Sequence, residues 1–349
     1  MDIDKLLKTG RQTLYSLFGA GLHGRNGLNP PISKHIWCTY VVPRFIYGVE
    51  IQNLTDQQLQ QLSHFQTKSL KQLQWLPERC STAAVYLLLG AETIEALIHK
   101  KMIGFFGQIT RDKDSLENQI AYRQIAIYDL NSKSWFSRLK VVLAKYNLPS
   151  ALHLLEHPMK KEHFKKMVDD KIDGFWLNKL IQDKNSKTSL NMMSVSQLKI
   201  GVCHPVWKTV RNNPKDVEKA AIKARILTGT YTLQANRAKF NQYEVDPTCP
   251  LCQKGSENRK HFILLCPVTE AARVKFLLKI INIISTSTVT NVDVQDDDIL
   301  LQLIVDCSAL IIGTQYNSLR YDIETLSREL IYSIHVLRTR LVTTMHMPG

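Results

Sequence analysis

The sequence predicts an all-α, mainly helical fold carrying a small CCHC zinc-binding module, and three features of the chain predict it. Apolar residues recur at intervals of three and four through most of the 349 residues, which is the period of one helix face. Helix start and stop signals bracket those runs, with Thr55-Asp-Gln-Gln58 before one and Gly90 after another. No segment alternates apolar and polar residues as a half-buried strand would.

The elements follow in order. Asp2–Phe18 reads as a helix, Gly19–Pro31 as a glycine-rich loop, and Ile32–Ile51 as an aromatic-rich segment that Pro43 should kink. Behind the capping box at Thr55, the residues Leu59, Leu62, Phe65, Leu70, Leu73 and Leu76 form one face, and Pro77 ends it. Amphipathic helices are expected at Ser81–Leu89, Thr93–Thr110, Ser115–Leu130, Ser134–Tyr146 and Lys160–Asp183. Residues 184–205 lose the period and gain Ser, Asn and Thr, which marks a domain boundary. Pro214 opens the next helix and Gly229 closes it. Val268–Ile284 is helical, Ser285–Asp298 is a polar loop, and a final helix carries Leu319, Ile323, Leu326, Leu330, Ile334, Leu337 and Leu341 as a core stripe. The chain divides into a helical region at 1–190, a basic helix with the zinc module at 205–284, and a helical tail at 285–349.

Composition narrows the class. An apolar fraction of 44% with 22% charged residues belongs to globular proteins. Cys38, Cys80, Cys203 and Cys307 stand alone, which fits a reducing compartment rather than a disulfide scaffold. The N-terminus shows no signal peptide, and the most apolar stretch, Ile299–Ile312, is too short to span a bilayer. The expected setting is intracellular, nuclear or cytoplasmic, with no membrane partner. The net charge of +14 is unevenly spread: residues 205–280 hold 14 basic against 6 acidic side chains, while 281–349 hold 4 against 8. Basic charge gathered around a zinc module suits a phosphate-bearing partner, RNA or DNA, rather than a small-molecule substrate.

Cys249, Cys252, His261 and Cys266 stand at C-x2-C-x8-H-x4-C, four zinc ligands in the right chemistry and order. The C-x2-C turn grips one ion with two thiolates, with the amides of Leu251 and Gln253 turned towards the sulfurs. The second pair arrives on a helix-like piece, Arg259–Leu265, which the proline after Cys266 stops. Five residues of ideal helix would carry Cys266 about 140° away from His261, so the chain must leave the α-helix before both can face one metal. Lys254, Arg259 and Lys260 sit where they can offset the surplus negative charge of three thiolates. Upstream, Lys215, Lys219 and Lys223 recur every four residues as one stripe, followed by Arg225. These seven cations are the candidate phosphate contacts, against the plainer reading of a solvated helix face.

Three patterns resemble other sites and are set aside. Gly19-Ala-Gly21-Leu-His-Gly24 matches a dinucleotide fingerprint, but no strand precedes it and Pro30 and Pro31 delay any helix after it. His153-Leu-Leu-Glu156-His157 matches an inverted zinc-peptidase motif, confined to two turns by Pro149 and Pro158. Asp296–Asp298 reads as a helix start whose acids favour the helix dipole.

Several segments, in order, resemble the C-terminal part of a non-LTR (LINE-like) retrotransposon reverse transcriptase. G-A-G-L-H-G-R-N-G-L-N-P, Y-V-V-P-R-F-I-Y-G-V-E-I and L-K-Q-L-Q-W-L-P-E-R look like the segment after the polymerase palm. I-L-T-G-T-Y-T-L-Q-A-N-R-A-K-F and C-P-L-C…E-N-R-K-H-F-I-L-L-C-P look like its zinc-binding module. The resemblance runs over roughly residues 5–270 and is most specific in the zinc segment. It implies a thumb-and-zinc region bound to nucleic acid and lacking catalysis, since the aromatic-x-Asp-Asp turn of the polymerase is missing: Asp169-Asp170 and Asp296–Asp298 lie in the wrong order and context. The expected function is therefore a non-catalytic, zinc-dependent nucleic-acid-binding fragment. A structural or interaction module held together by zinc is the alternative, and a zinc peptidase using His153, Glu156 and His157 is the third.

Overall fold

The computed structural model describes residues 3–25, 27–239, 244–287 and 292–345. Residues 288–291 of the polar loop expected at 285–298 lie outside that set, as do Met1, Asp2, Asn26, residues 240–243 and 346–349. The α-helices in chain order are α1 (Ile3–Ser16), α2 (Pro30–Ile36), α3 (Val42–Phe45), α4 (Asp56–Leu73), α5 (Thr82–Leu89), α6 (Ile94–Arg111), α7 (Leu116–Ile127) and α8 (Trp135–Lys145). They continue with α9 (Ala151–Glu156), α10 (Lys161–Asn185), α11 (Pro205–Lys208), α12 (Pro214–Leu227), α13 (Gln234–Lys239), α14 (Glu270–Ser285), α15 (Asp297–Val305) and α16 (Asn317–Met345). Among the described residues there is no strand, only isolated bridges at Lys199–Val202 and Thr248–Ser256. The fold is all-α. No single helix among them is long and apolar enough to cross a membrane.

Local chemistry sets the helix ends. Thr55 and Gln58 form the reciprocal capping box: the Thr55 amide donates to Gln58 Oε1 at 2.9 Å and the Gln58 amide to Thr55 Oγ1 at 3.3 Å. Thr93, Ser115, Ser134 and Ser150 each accept an amide of their helix's first turn. Gly90 ends α5 at φ +56, a conformation that disfavours any side chain. The segment around Pro43 differs from a simple kink. Pro43 has no amide to give the carbonyl four residues back, so the chain widens into a π-turn at Trp37–Val41 and Val42 donates to Trp37 O instead.

By contacts the chain forms two compact units, and neither is continuous in sequence. One comprises residues 1–20, 34–70 and 91–183. Its core includes Ile103 and Phe106 of α6, Leu139 and Leu143 of α8, Leu155 of α9 and Ile172 of α10. His99 is buried there with Nδ1 2.7 Å from Tyr146 Oη, which itself accepts the Trp176 indole N–H at 3.0 Å. Tyr146 can then donate its own hydroxyl to the Nδ1 of a neutral His99. Burial, with Lys145 and Arg138 adding to it, holds the His99 pKa down at about 3. The folded state thus prefers the neutral ring, while the unfolded chain takes up a proton near pH 6.5. Stability from this group is complete above that pH and falls as pH drops towards 3. Between pH 6.5 and 5 the loss should reach about 2 kcal/mol. Denaturant unfolding of wild type and His99→Gln across that range checks it, and parallel curves would remove His99 as the source.

The other unit comprises residues 21–33, 71–90 and 184–349. Its spine is α16, packed against α12 and α14. Ile323, Leu330 and Ile334 of the expected stripe are fully buried, and the rest of that stripe is half-buried. Gly24 belongs to this unit, and a Cβ there would lie 2.2 Å from the Trp75 amide nitrogen. In the dinucleotide look-alike, Gly24 serves this close backbone approach and Gly21 takes φ +90, while a Cβ on Gly19 would meet nothing within 4 Å; no strand precedes them.

Candidate metal centre

Sγ of Cys249, Cys252 and Cys266 and a ring nitrogen of His261 lie within 4.8 Å of one another. Cys249 Sγ is 3.9 Å from Cys266 Sγ, and Cys252 Sγ is 3.3 Å from His261 Nε2. A tetrahedral ion with metal–sulfur bonds of about 2.3 Å would set its sulfurs about 3.8 Å apart. The donor set fits one such ion, and these four residues could hold a metal.

Each half of the site is built by local geometry. The first pair sits on a closed loop, where the Cys249 amide donates to Gly255 O at 2.7 Å and Thr248 bridges Ser256. Gln253, at φ +55, sends its amide back to Cys249 O at 3.0 Å, so it does not face the sulfurs as expected. The amides of Cys252 and Leu251 reach Cys249, and that of Lys254 reaches Cys252. The second pair is joined by a π-turn, His261–Leu265. The Cys266 amide donates to His261 O, five residues back, at 2.9 Å. An i to i+5 bond brings the fifth residue back over the first, and Cys266 then leaves in an extended conformation ahead of Pro267. The departure from α-geometry required by the spacing is thus a wider turn and not an unwound one.

Burial pushes the Cys249 thiol up to about 12. Burial acts the same way on Cys252, but the Lys254 amide and hydrogen bonds with Cys249 and Cys266 outweigh it, and that thiol is lowered. His261 is lowered, chiefly by burial, and therefore offers a neutral ring at pH 7. A cation among the four would hold the buried sulfur as thiolate, the form that binds metal.

The loop is tied to the long helix. The Glu257 carboxylate, 1% exposed, takes a bidentate pair from Arg338 of α16 at 2.6 and 2.8 Å and the Gln234 amide at 2.8 Å. The Tyr231 ring lies 5.3 Å from Phe262, and its hydroxyl meets His335 Nδ1 at 2.7 Å. Neither Glu257 nor Arg338 stood out in the sequence, because their pairing spans 81 residues.

The seven expected phosphate contacts separate. Lys223 has no exposed surface: its Nζ donates to Glu324 Oε2 at 2.7 Å and Ser327 Oγ at 2.6 Å. Lys219 pairs with Glu329 at 2.6 Å. The lysine stripe is therefore not a solvated face; apart from its first member, Lys215, it lies against acidic positions of α16. Lys260 pairs with Asp298 at 2.9 Å, while Asp296 caps α15 as its run of acids suggested. Arg259 reaches Ser189 O and Asn191 Oδ1 instead of the sulfurs. Lys215 and Lys254 are exposed. The cation beside the centre is Arg273 of α14, 7% exposed, whose Nη1 donates to Cys266 O at 3.2 Å. Its place two turns after the Cys-Pro step was the available signal.

Arg225 lies in different company. Its guanidinium carbon is 4.0 Å from the centroid of the Trp75 ring, and it donates twice to the Trp75 carbonyl, at 3.0 and 2.7 Å. Arg25 lies 5.5 Å from the same ring. Arg79 is held by Thr230 O at 2.7 Å and Thr232 Oγ1 at 3.1 Å. Burial lowers the Arg225 pKa, and Arg79 and Arg25 lower it further. Among the described residues, no carboxylate comes within 4.0 Å of Arg25, Arg79, Arg225 or Arg259. His153 of α9 and His157 just past its end stack at 4.7 Å, and no third His, Cys, Asp or Glu joins them among the described residues.

Comparison with protein-family models, with curated proteins and with solved structures gives no match for this chain.

Proposed function

We propose that the chain is a zinc-stabilised helical protein that binds RNA or DNA through backbone phosphates, the part of a non-LTR retrotransposon reverse transcriptase that follows the palm. Zinc is the metal that three thiolates and one imidazole in a tetrahedral arrangement favour. The observation that carries the binding reading is a cluster of guanidinium groups, Arg25 and Arg225 over Trp75 with Arg79 near enough to act on Arg225, gathered without a carboxylate partner among the described residues. Like charges held together cost free energy, and an anionic partner offsets that cost. Trp75, half-buried, adds a flat face of the kind that supports an unpaired base.

The test is the salt dependence of binding to a short single strand. Arg25 is exposed and holds no backbone group among the described residues, so Arg25→Glu should leave the fold intact. It should weaken binding and flatten the salt slope by about 0.7, the share of one phosphate on a single strand. Lys219→Ala, which removes a lysine already paired with Glu329, should change neither. Equal behaviour of the two variants would overturn the assignment.

A second reading has its own support. Three of the seven cations expected to touch phosphate, Lys219, Lys223 and Lys260, are paired with carboxylates. This favours a module whose metal and ion pairs serve only the fold. Retained metal with no strand binding at about 50 mM salt would select it.

A further inference from the structure

A cavity of about 550 Å³ opens in the unit that holds the metal centre. Arg79, Lys187 and Arg237 contribute to its wall with Ser81, Thr232 and Tyr231, and no carboxylate is among its lining residues. Ser81 stands at the N-cap of α5, yet its hydroxyl makes no capping bond. That oxygen is buried without a hydrogen-bond partner. An unpartnered buried hydroxyl costs stability, and one on a residue in the wall of a basic cavity fits a site that a ligand completes. The volume lies within the usual range of small-molecule pockets, about 300–1,000 Å³, and is far larger than a bare anion requires.

We propose that this cavity binds one nucleotide, with its phosphate among Arg79, Lys187 and Arg237 and its phosphate oxygen accepting the Ser81 hydroxyl. Identifying the phosphorylated ligand as a nucleotide rests on the nucleic-acid reading above; the cavity, its cations and Ser81 do not. The nucleotide has two possible sources, a free nucleoside monophosphate or the phosphorylated end of a strand.

Isothermal titration of the full chain with adenosine monophosphate, adenosine and inorganic phosphate tests this. The monophosphate should bind with an affinity at least roughly tenfold above that of phosphate, and adenosine should not bind measurably at the same concentrations. Arg237 is exposed, so Arg237→Glu should fold and should weaken the monophosphate roughly tenfold by charge reversal. Ser81→Val provides a readout that a structural serine would not move: it should weaken the monophosphate while raising thermal stability, because it removes the unpartnered hydroxyl. Arg79→Ala is less suitable, since Arg79 also holds the backbone at Thr230. The proposal is overturned if the monophosphate does not bind up to about 5 mM, binds no better than phosphate, or binds Arg237→Glu and Ser81→Val unchanged. A 5′-phosphorylated 12-mer that displaces the monophosphate better than its unphosphorylated copy assigns the site to a strand end. Undiminished strand binding at saturating monophosphate assigns it to the free nucleotide. Strand binding that depends on Arg25 but comes with no monophosphate binding would remove the pocket and leave the phosphate-backbone reading standing.

Discussion

With zinc at the centre as proposed, chelation or Cys252→Ser is expected to unfold the loop at 249–266 and to release one zinc ion per chain. The four donors meet around one point, and three of them are sulfurs whose mutual repulsion as thiolates only a cation offsets. Apparent binding free energies of about 10–16 kcal/mol are typical of such structural zinc sites, more than an isolated 20-residue loop has in packing. The damage should not stop at the loop. Phe262, Ile263 and Leu264 are buried, and Glu257 anchors the loop to Arg338. Loss of the loop leaves that guanidinium without its carboxylate, so the C-terminal half of α16 should also lose hydrogen-exchange protection. Metal analysis, circular dichroism and hydrogen exchange before and after chelation measure this, with refolding on Zn2+ and not on Mg2+ as the control. Full protection of residues 249–266 after metal removal would show that the loop stands on its packing alone.

The four donors were legible in the sequence because their geometry is local. Two close-spaced pairs on a turn and a short helix leave few arrangements other than a shared ion. Helix ends were legible for the same reason: the Thr55–Gln58 box, the serine caps and Gly90 act within four residues. What did not show was which faces meet. A stripe of lysines at every fourth position has the same pattern whether water or a row of glutamates lies opposite. The carboxylates that meet Lys219 and Lys223 come 110 and 101 residues later, within a helix whose visible signal was its leucine stripe. Net charge was a sound guide to a basic protein but a poor guide to location. The cations left without carboxylates include Arg25 and Arg79, far upstream of the basic segment. They join the unit that holds the four donors only because residues 21–33 and 71–90 fold into it. The expected helix at Arg259–Leu265 had the right extent but the wrong pitch, since a π-turn has no simple sequence signature.

Lys223→Ala is expected to destabilise the protein by about 3–5 kcal/mol, the usual cost of stripping one partner from a buried ion pair. Both Lys223 and Glu324 have fully buried side chains, and Glu324 Oε1 also lies 3.4 Å from Cys307 Sγ. Without the ammonium, that carboxylate stays buried beside the Cys307 thiol, and it must either bear its desolvation in full or take up a proton. Lys219→Ala offers the contrast on the same stripe. Its pair with Glu329 is 22% and 34% exposed, so its removal should cost no more than about 1 kcal/mol. Replacing both buried partners, as in Lys223→Met with Glu324→Leu, should recover most of the stability, because the buried charges are then removed together. Urea unfolding of the four proteins provides the comparison. Equal costs for Lys223→Ala and Lys219→Ala would mean that α12 does not lie against α16 at this point, and the lysine stripe would again be a surface for phosphate. The expected inequality carries a consequence for binding experiments: a triple alanine variant of Lys215, Lys219 and Lys223 loses affinity because it loses its fold, so the charge on Arg25 is the one to reverse.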